Sequence, residues 1–470
     1  MKKTILILGI IFLLIIPALT PITVSYNISK THNKIIIKED VKQSLNIPVD
    51  SSWPMYQHDA ENTGYSQVTF PNSFNQTWFK SYEEDLNINM LSIFASPVSS
   101  NGKIFIPGDM AGSGIICALN QYNGSLIWKK EIPLNPNAIN GFLGYHSPAI
   151  YKDKVFTVLS CCYTFRSRSK IVALDENTGD IIWEKSFFGA SWYSSVTIAE
   201  DKVFVCGHLT FWPISWLYVF DANNGDLLWK KTLFGYIETT PVVSDNKVFV
   251  APGKISGLIL FISPPFFSVF NSGNSRVYAF DINNGEKIWM KHVKGHLVQC
   301  SPTISDGKLF VPSNDYNKLK NYWICMLNAL DVETGEIIWN HDMNQKLGMW
   351  PTSISTPSVA YGKVFVTDSD ACLYVWDQDS GDLIWEKEIY PENMYASSNV
   401  FASPVVIDEK VIVSASENYT ISNNELFMFN ESNGEHIWNL KYEGESWNPF
   451  IVSNEMLFVN DGWNGIFAFG

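Results

Sequence analysis

Three places in the 470-residue chain bring together side chains able to do chemistry. Cys161 and Cys162 are adjacent in "LSCCYTFRSRS", where two thiols can pair with each other or pack as small apolar residues at the end of the strand "KVFTVLS". Asp377 to Asp382 reads "DQDSGD", which opens like a Ca²⁺ loop, but its Gly falls at the fifth position and the distal Glu is missing. His292 and His296 stand four apart, a spacing that places two metal-binding imidazoles on one helical face, yet "HVKGHL" is broken by Gly. No G-x-S-x-G, H-E-x-x-H or Gly-rich phosphate loop occurs. These residues nominate no nucleophile, so the expectation is a protein without catalytic residues, metal or cofactor.

The elements that would have to position such groups are strands. Charged residues make up 17% of the chain and aromatics 14%, with 29 Gly and 22 Pro dispersed along it, a composition suited to short strands joined by tight turns. The net charge of -14 is spread rather than gathered in a tail, and no Lys/Arg run is present to follow a phosphate backbone, which excludes nucleic acid as a partner. Two lysines ahead of the apolar run Ile5 to Ile16 form a signal pattern in residues 1–25, either cleaved or kept as an anchor. Residues 26–50 read as a linker, and the mature chain is expected to be secreted or held at the cell surface. The seven cysteines are odd in number and scattered, which is no disulfide framework.

The dominant signal is a repeat. In "ALDENTGDIIW" an Asp is followed four residues later by Gly and four later again by Trp, and the phrase recurs to give Trp128, Trp183, Trp229, Trp289, Trp339, Trp385 and Trp438, 46 to 60 residues apart. A Ser-Pro or Thr-Pro pair usually opens each unit, followed by strands such as "GKIFI" and "RVYAFD". The Asp or Asn bonds local amides, the Gly supplies a positive φ, and the Trp covers its own hairpin and the next unit. After Trp438 only three strands remain, and "FNQTWFKSY" stands alone near the start, with Trp78 fifty residues ahead of Trp128. Joining the two ends yields an all-β, eight-bladed β-propeller of four-stranded antiparallel blades over residues 51–470, its last blade closed by an N-terminal strand. That closure asks only for residues 75–82.

The repeated phrase, together with "SSWPMYQHDAENTGYS" from Ser51 to Ser66, resembles the PQQ-enzyme repeat family of eight-bladed propellers. That family holds both quinoprotein dehydrogenases and the non-catalytic BamB-like assembly lipoproteins, so the resemblance implies a fold and leaves activity open. A dehydrogenase of this family would bind PQQ and Ca²⁺ and carry a vicinal disulfide over the quinone. Here Cys161 and Cys162 follow the second strand of a blade instead of preceding the first, so no catalytic residue carries over.

What varies between repeats is the segment joining the second and third strands. In blades 3, 4 and 5 it reads "GHLTFWPISW", "GKISGLILFISPPFFSVFNSGNS" and "SNDYNKLKNYWICMLN". These segments share one face with the connections between blades, and they nominate Phe211, Trp212, Trp216, Phe261, Phe266, Phe267, Tyr322 and Trp323 as binding residues. The expectation is a monomeric, non-catalytic binding or scaffold module, with a protein or glycan partner at the cell surface and contact with a membrane surface as a further option.

Overall fold

The computed structural model describes residues 52–88, 95–110, 113–133, 146–160, 168–191, 194–209, 213–253, 275–295, 300–317, 322–343, 355–368, 371–390, 397–398, 403–416, 424–442, 450–461 and 464–470. Among them every regular element is a strand, and the strands form eight sheets. Blade 3 shows the plan: Thr197–Ala199, Lys202–His208, Ile214–Asp221 and Leu227–Phe234 pair in sequence as an antiparallel meander. Blades 1, 2, 4, 5, 6 and 7 repeat it over 98–133, 149–188, 242–293, 303–342, 358–388 and 405–442. Blade 8 has three strands from 450–469 and takes its fourth from the other end of the chain, where β2 (Gln76–Ser81) pairs antiparallel with Gly465–Phe469. The eight-bladed propeller is therefore closed as the repeat count requires.

The second and third strands are apolar on both faces, because each blade is packed between two others. Phe105, Phe156, Phe204, Phe249, Phe310, Phe365 and Phe458 are fully buried there. The fourth strand faces solvent and alternates, as in "LIWKKEIP" with its buried Trp128 and Ile132.

The tight turn and the Trp form one device. In blade 2 the Asp175 carboxylate accepts from the amides of Asn177 and Thr178, and Gly179 takes φ +74°. A Cβ at Gly179 would lie 2.6 Å from the Trp128 ring of blade 1, so glycine is required both for the turn and for the indole that lies on it. The Trp128 indole N–H then donates to the Glu176 carbonyl at 2.9 Å. The same bond crosses each of six further junctions, from Trp78, Trp183, Trp229, Trp289, Trp339 and Trp385. In blade 6 the same turn occupies Asp377–Asp382: Asp377 accepts from the amides of Asp379 and Ser380.

Five Ser-Pro or Thr-Pro pairs, with Ser195-Val196 in blade 3, build a belt near the axis across blades 1 to 6. The amide of Ser96 donates to the Ser147 hydroxyl at 2.9 Å, Ser147 to Ser195, Ser195 to Thr240, Thr240 to Ser301, and Ser301 to Thr356. From blade 2 to blade 6 one hydroxyl per blade thus satisfies an amide of the blade before it, where the chain crosses the interior and water cannot serve.

Candidate functional site

The fourth strands of blades 2 and 3 end in "SFF" and "TLF", both at the loop end of the propeller. Alternation turns Phe187 and Leu233 inward and leaves Phe188 37% and Phe234 54% exposed. Trp216 enters blade 3 at the same end; it is half-buried and meets Phe188 of blade 2 edge-on, with ring centroids 5.1 Å apart. Tyr218 lies one step deeper, stacks on Phe220 at 6.2 Å and donates its hydroxyl to the Phe188 carbonyl at 2.9 Å. Burial pushes the Tyr218 phenol up to about 12, so it stays a neutral donor.

Cations border these rings. Lys230 sits 5.9 Å from the Tyr218 ring centre, and the Arg276 guanidinium lies 5.0 Å from that of Phe234. A cleft of about 410 Å³ opens between the two blades, lined by Lys185, Phe188, Tyr218, Leu227 and Lys230 among others. The arrangement offers flat apolar rings rimmed with positive charge on a chain that is acidic as a whole, and it can hold an extended segment without reacting with it.

Trp216 is the one candidate binding residue whose side chain is described. Tyr322 and Trp323 lie in the strand Tyr322–Asp331, with only their backbone described. Phe211, Trp212, Phe261, Phe266 and Phe267 lie outside the described residues, as do Cys161, Cys162 and His296. His292 is exposed on the outer strand of blade 4. Sequence reasoning missed Phe188 and Phe234. Their signal was available, since an aromatic residue stands five positions after the repeat Trp in blades 2, 3 and 6 and not in blades 1, 4, 5 and 7.

Reactive groups elsewhere are quenched by burial. Cys117, Cys206, Cys300, Cys325 and Cys372 are buried and form no disulfide with one another, and desolvation pushes the thiols of Cys117, Cys206 and Cys372 up to about 12, far from a nucleophilic thiolate. No group of three or more metal-ligating side chains occurs among the described residues.

A protein family described as "Outer membrane protein assembly factor BamB" matches residues 167–261 and 265–470, well over half of the chain. The chain belongs to this family. It is 26% identical over 228 residues to the outer membrane protein assembly factor BamB of Shewanella oneidensis, covering 48% of this chain and 53% of that protein. It is also 24% identical over 143 residues to the quinoprotein alcohol dehydrogenase PedH of Pseudomonas putida, covering 30% and 22%. The chain thus spans about half the length of the first relative and less of the second. Among solved structures, BamB from Moraxella catarrhalis superposes with a TM-score of 0.54 at 14% identity, over 84% of this chain and 99% of that one, a likeness of fold alone.

Proposed function

We propose that the chain is a non-catalytic, extracytoplasmic scaffold that holds a protein partner against the aromatic surface at the loop end of blades 2 to 4. The observation that carries this reading is the pair of exposed rings, Phe188 and Phe234, set beside Trp216 and Arg276. Aromatic residues and Arg are the side chains that anchor protein interfaces, and a fold without a partner gains nothing by exposing them together. Family membership supports the same role, and the signal pattern in residues 1–25 supports an address outside the cytoplasm.

The similarity to PedH keeps a quinone-dependent dehydrogenase as the second reading. PQQ carries three carboxylates and calls for cationic partners. The axial belt supplies hydroxyls, and the residue before each belt position is Ala95, His146, Ser194, Thr239, Cys300 or Ser355, with no Lys or Arg among them. These residues do not fit the cofactor, which favours the scaffold. Ca²⁺ would belong with PQQ to the dehydrogenase reading alone.

A photo-crosslinking residue placed at Phe188 or Phe234 in cells should give a discrete protein adduct. The same residue at Tyr122, 61% exposed on the opposite, tight-turn face, should give none. Equal labelling at all three positions, or dye-linked alcohol oxidation after reconstitution with PQQ and Ca²⁺, would overturn the proposal.

A further inference from the structure

The innermost strand of each blade turns one edge toward the axis, where its amides need acceptors as much as those of an outer edge do. The stretch ahead of β2 supplies them. The Trp53 carbonyl accepts from Ser99 of blade 1 at 2.8 Å and Pro54 from Ile150 of blade 2 at 2.7 Å. Ala60 accepts from Val243 of blade 4, Glu61 from Ile304 of blade 5, Thr63 from Val359 of blade 6 and Gly64 from Val406 of blade 7. Blade 3 is met through Met55, which packs in one cluster with Val196 and Ile198. Five donors stand three residues beyond the belt position of their blade, and Val406 stands three beyond Ser403 of the matching Ser-Pro pair in blade 7, so all six lie at one level of the ring.

The acceptors ascend in sequence as the blades ascend in number. The segment then runs parallel to the first strand of blade 7 as β1 (Tyr65–Ser66), and Thr69 reaches Glu455 of blade 8 before β2 begins. Residues 53–81 therefore make one full circuit of the axis and leave through the outer wall of the last blade.

Local chemistry holds the circuit in shape. Asp59 accepts from the amides of Glu61 and Thr63 and from the Thr63 hydroxyl. The Tyr56 hydroxyl reaches up to the belt at Thr356, 2.8 Å away. Gly64, at φ +62°, lies so close to blade 6 that a Cβ would come 2.2 Å from the Ser358 hydroxyl.

We propose that residues 53–66 are an inner strap that acts with β2 as a single clasp, seating only after blades 1 to 8 exist and locking the ring from inside as β2 locks it from outside. A strap hydrogen-bonded to six blades and packed against blade 3, in order, has no complete site until the last of them has folded, although it is the first part of the described chain to be made.

The test uses the full chain. In pulse-labelled refolding, the amides of Ser99, Ile150, Val243, Ile304, Val359 and Val406 should gain protection after the ladder amides between second and third strands, such as Val205. Protection of Ser99 and Ile150 together with blades 1 and 2, before blades 7 and 8 form, would overturn the order proposed. Gly64→Val forces a branched residue into left-handed backbone and should speed exchange at Val359 and Val406 at equilibrium by about tenfold or more, leaving Val205 unchanged. A protease site placed at exposed Asn72–Ser73 keeps the proposal testable if that variant fails to fold. After cutting, the N-terminal piece should co-elute with the propeller and the six amides should stay slow; immediate loss of the piece with the six amides still protected would refute the strap.

Discussion

Two junctions of the ring use the same residue in different ways. Between blades 2 and 3, Trp183 lies on Gly225, whose added Cβ would come 2.6 Å from the ring, and donates to the Ala222 carbonyl at 3.2 Å. Between blades 7 and 8 there is no covalent turn to lie on, because the third strand of blade 8 is Gly465–Phe469 and its fourth is Gln76–Ser81. Asn75 and Gly470 exchange two backbone hydrogen bonds, at 3.2 and 3.0 Å, in place of a peptide link. Trp438 is only half-buried and meets Phe74 edge-on at 5.2 Å. The difference teaches that a complete junction gives the indole a glycine to lie on and a carbonyl to donate to, whereas the seam sets the Phe74 ring against Trp438.

The comparison can be broken most directly at the indoles. Trp128→Ala removes a buried ring and a hydrogen bond and should destabilise by about 3–5 kcal/mol. Trp438→Ala, at the seam, should cost less, since that ring is already partly exposed. Equal losses in thermal or urea unfolding would show the two junctions to be alike.

Acid should separate the same regions. Burial holds His146 and His208, which sit near the axis in blades 2 and 3, down at about 4 from the usual 6.5. The unfolded chain takes up these protons below 6.5 while the folded chain refuses them until about 4, so stability falls as pH drops through that window and levels off below it. Each shift corresponds to an order of 3 kcal/mol. Exchange measured from pH 7 to pH 4 should loosen blades 2 to 4 before the seam, where the buried groups Tyr82 and Tyr442 have phenols raised further by burial and do not titrate in this range. A seam that opens first would contradict it.

Charge gives a smaller contrast. Glu176 of blade 2 is buried and takes Lys103 of blade 1 at 3.1 Å, so Lys103→Met leaves the carboxylate without its cation, with the Asn101 amide still donating to it, and should cost about 2 kcal/mol. Lys152 and Asp201 pair at 2.6 Å in full solvent, and Lys152→Met should leave the melt unchanged. A loss smaller than that of Lys103→Met is expected in the belt, where Ser147→Ala strips the acceptor from the Ser96 amide, at about 1 kcal/mol. A belt variant as damaging as the Trp128 one would reverse the ranking.

The architecture was legible because its determinants repeat. Asp, Gly and Trp recur at fixed spacing, and a three-stranded unit at one end with a lone strand near the other leaves a single way to close the ring. The strap was not legible: "WPMYQHDAENTGYS" contributes backbone carbonyls to its neighbours, and carbonyls carry no residue signature. The Ser-Pro pairs were visible as punctuation, but not as a belt, since each bond joins residues some 45 to 61 positions apart. At the candidate site Trp216 was found through its long loop. Phe188 and Phe234 were passed over because they end regular strands, where attention falls on the pattern and not on its last residue.

The strap also bears on ancestry. Propellers gain and lose blades when a repeat is duplicated or deleted, and most of this chain would accept such an accident, since each blade asks only for a Gly-bearing turn on one side and a Trp on the other. Residues 53–66 would not. They assign successive carbonyls to successive blades, so an added or missing repeat would throw every later pairing out of step. The segment works as a tally of blade number written into the N-terminal stretch, and it makes eight a heritable count.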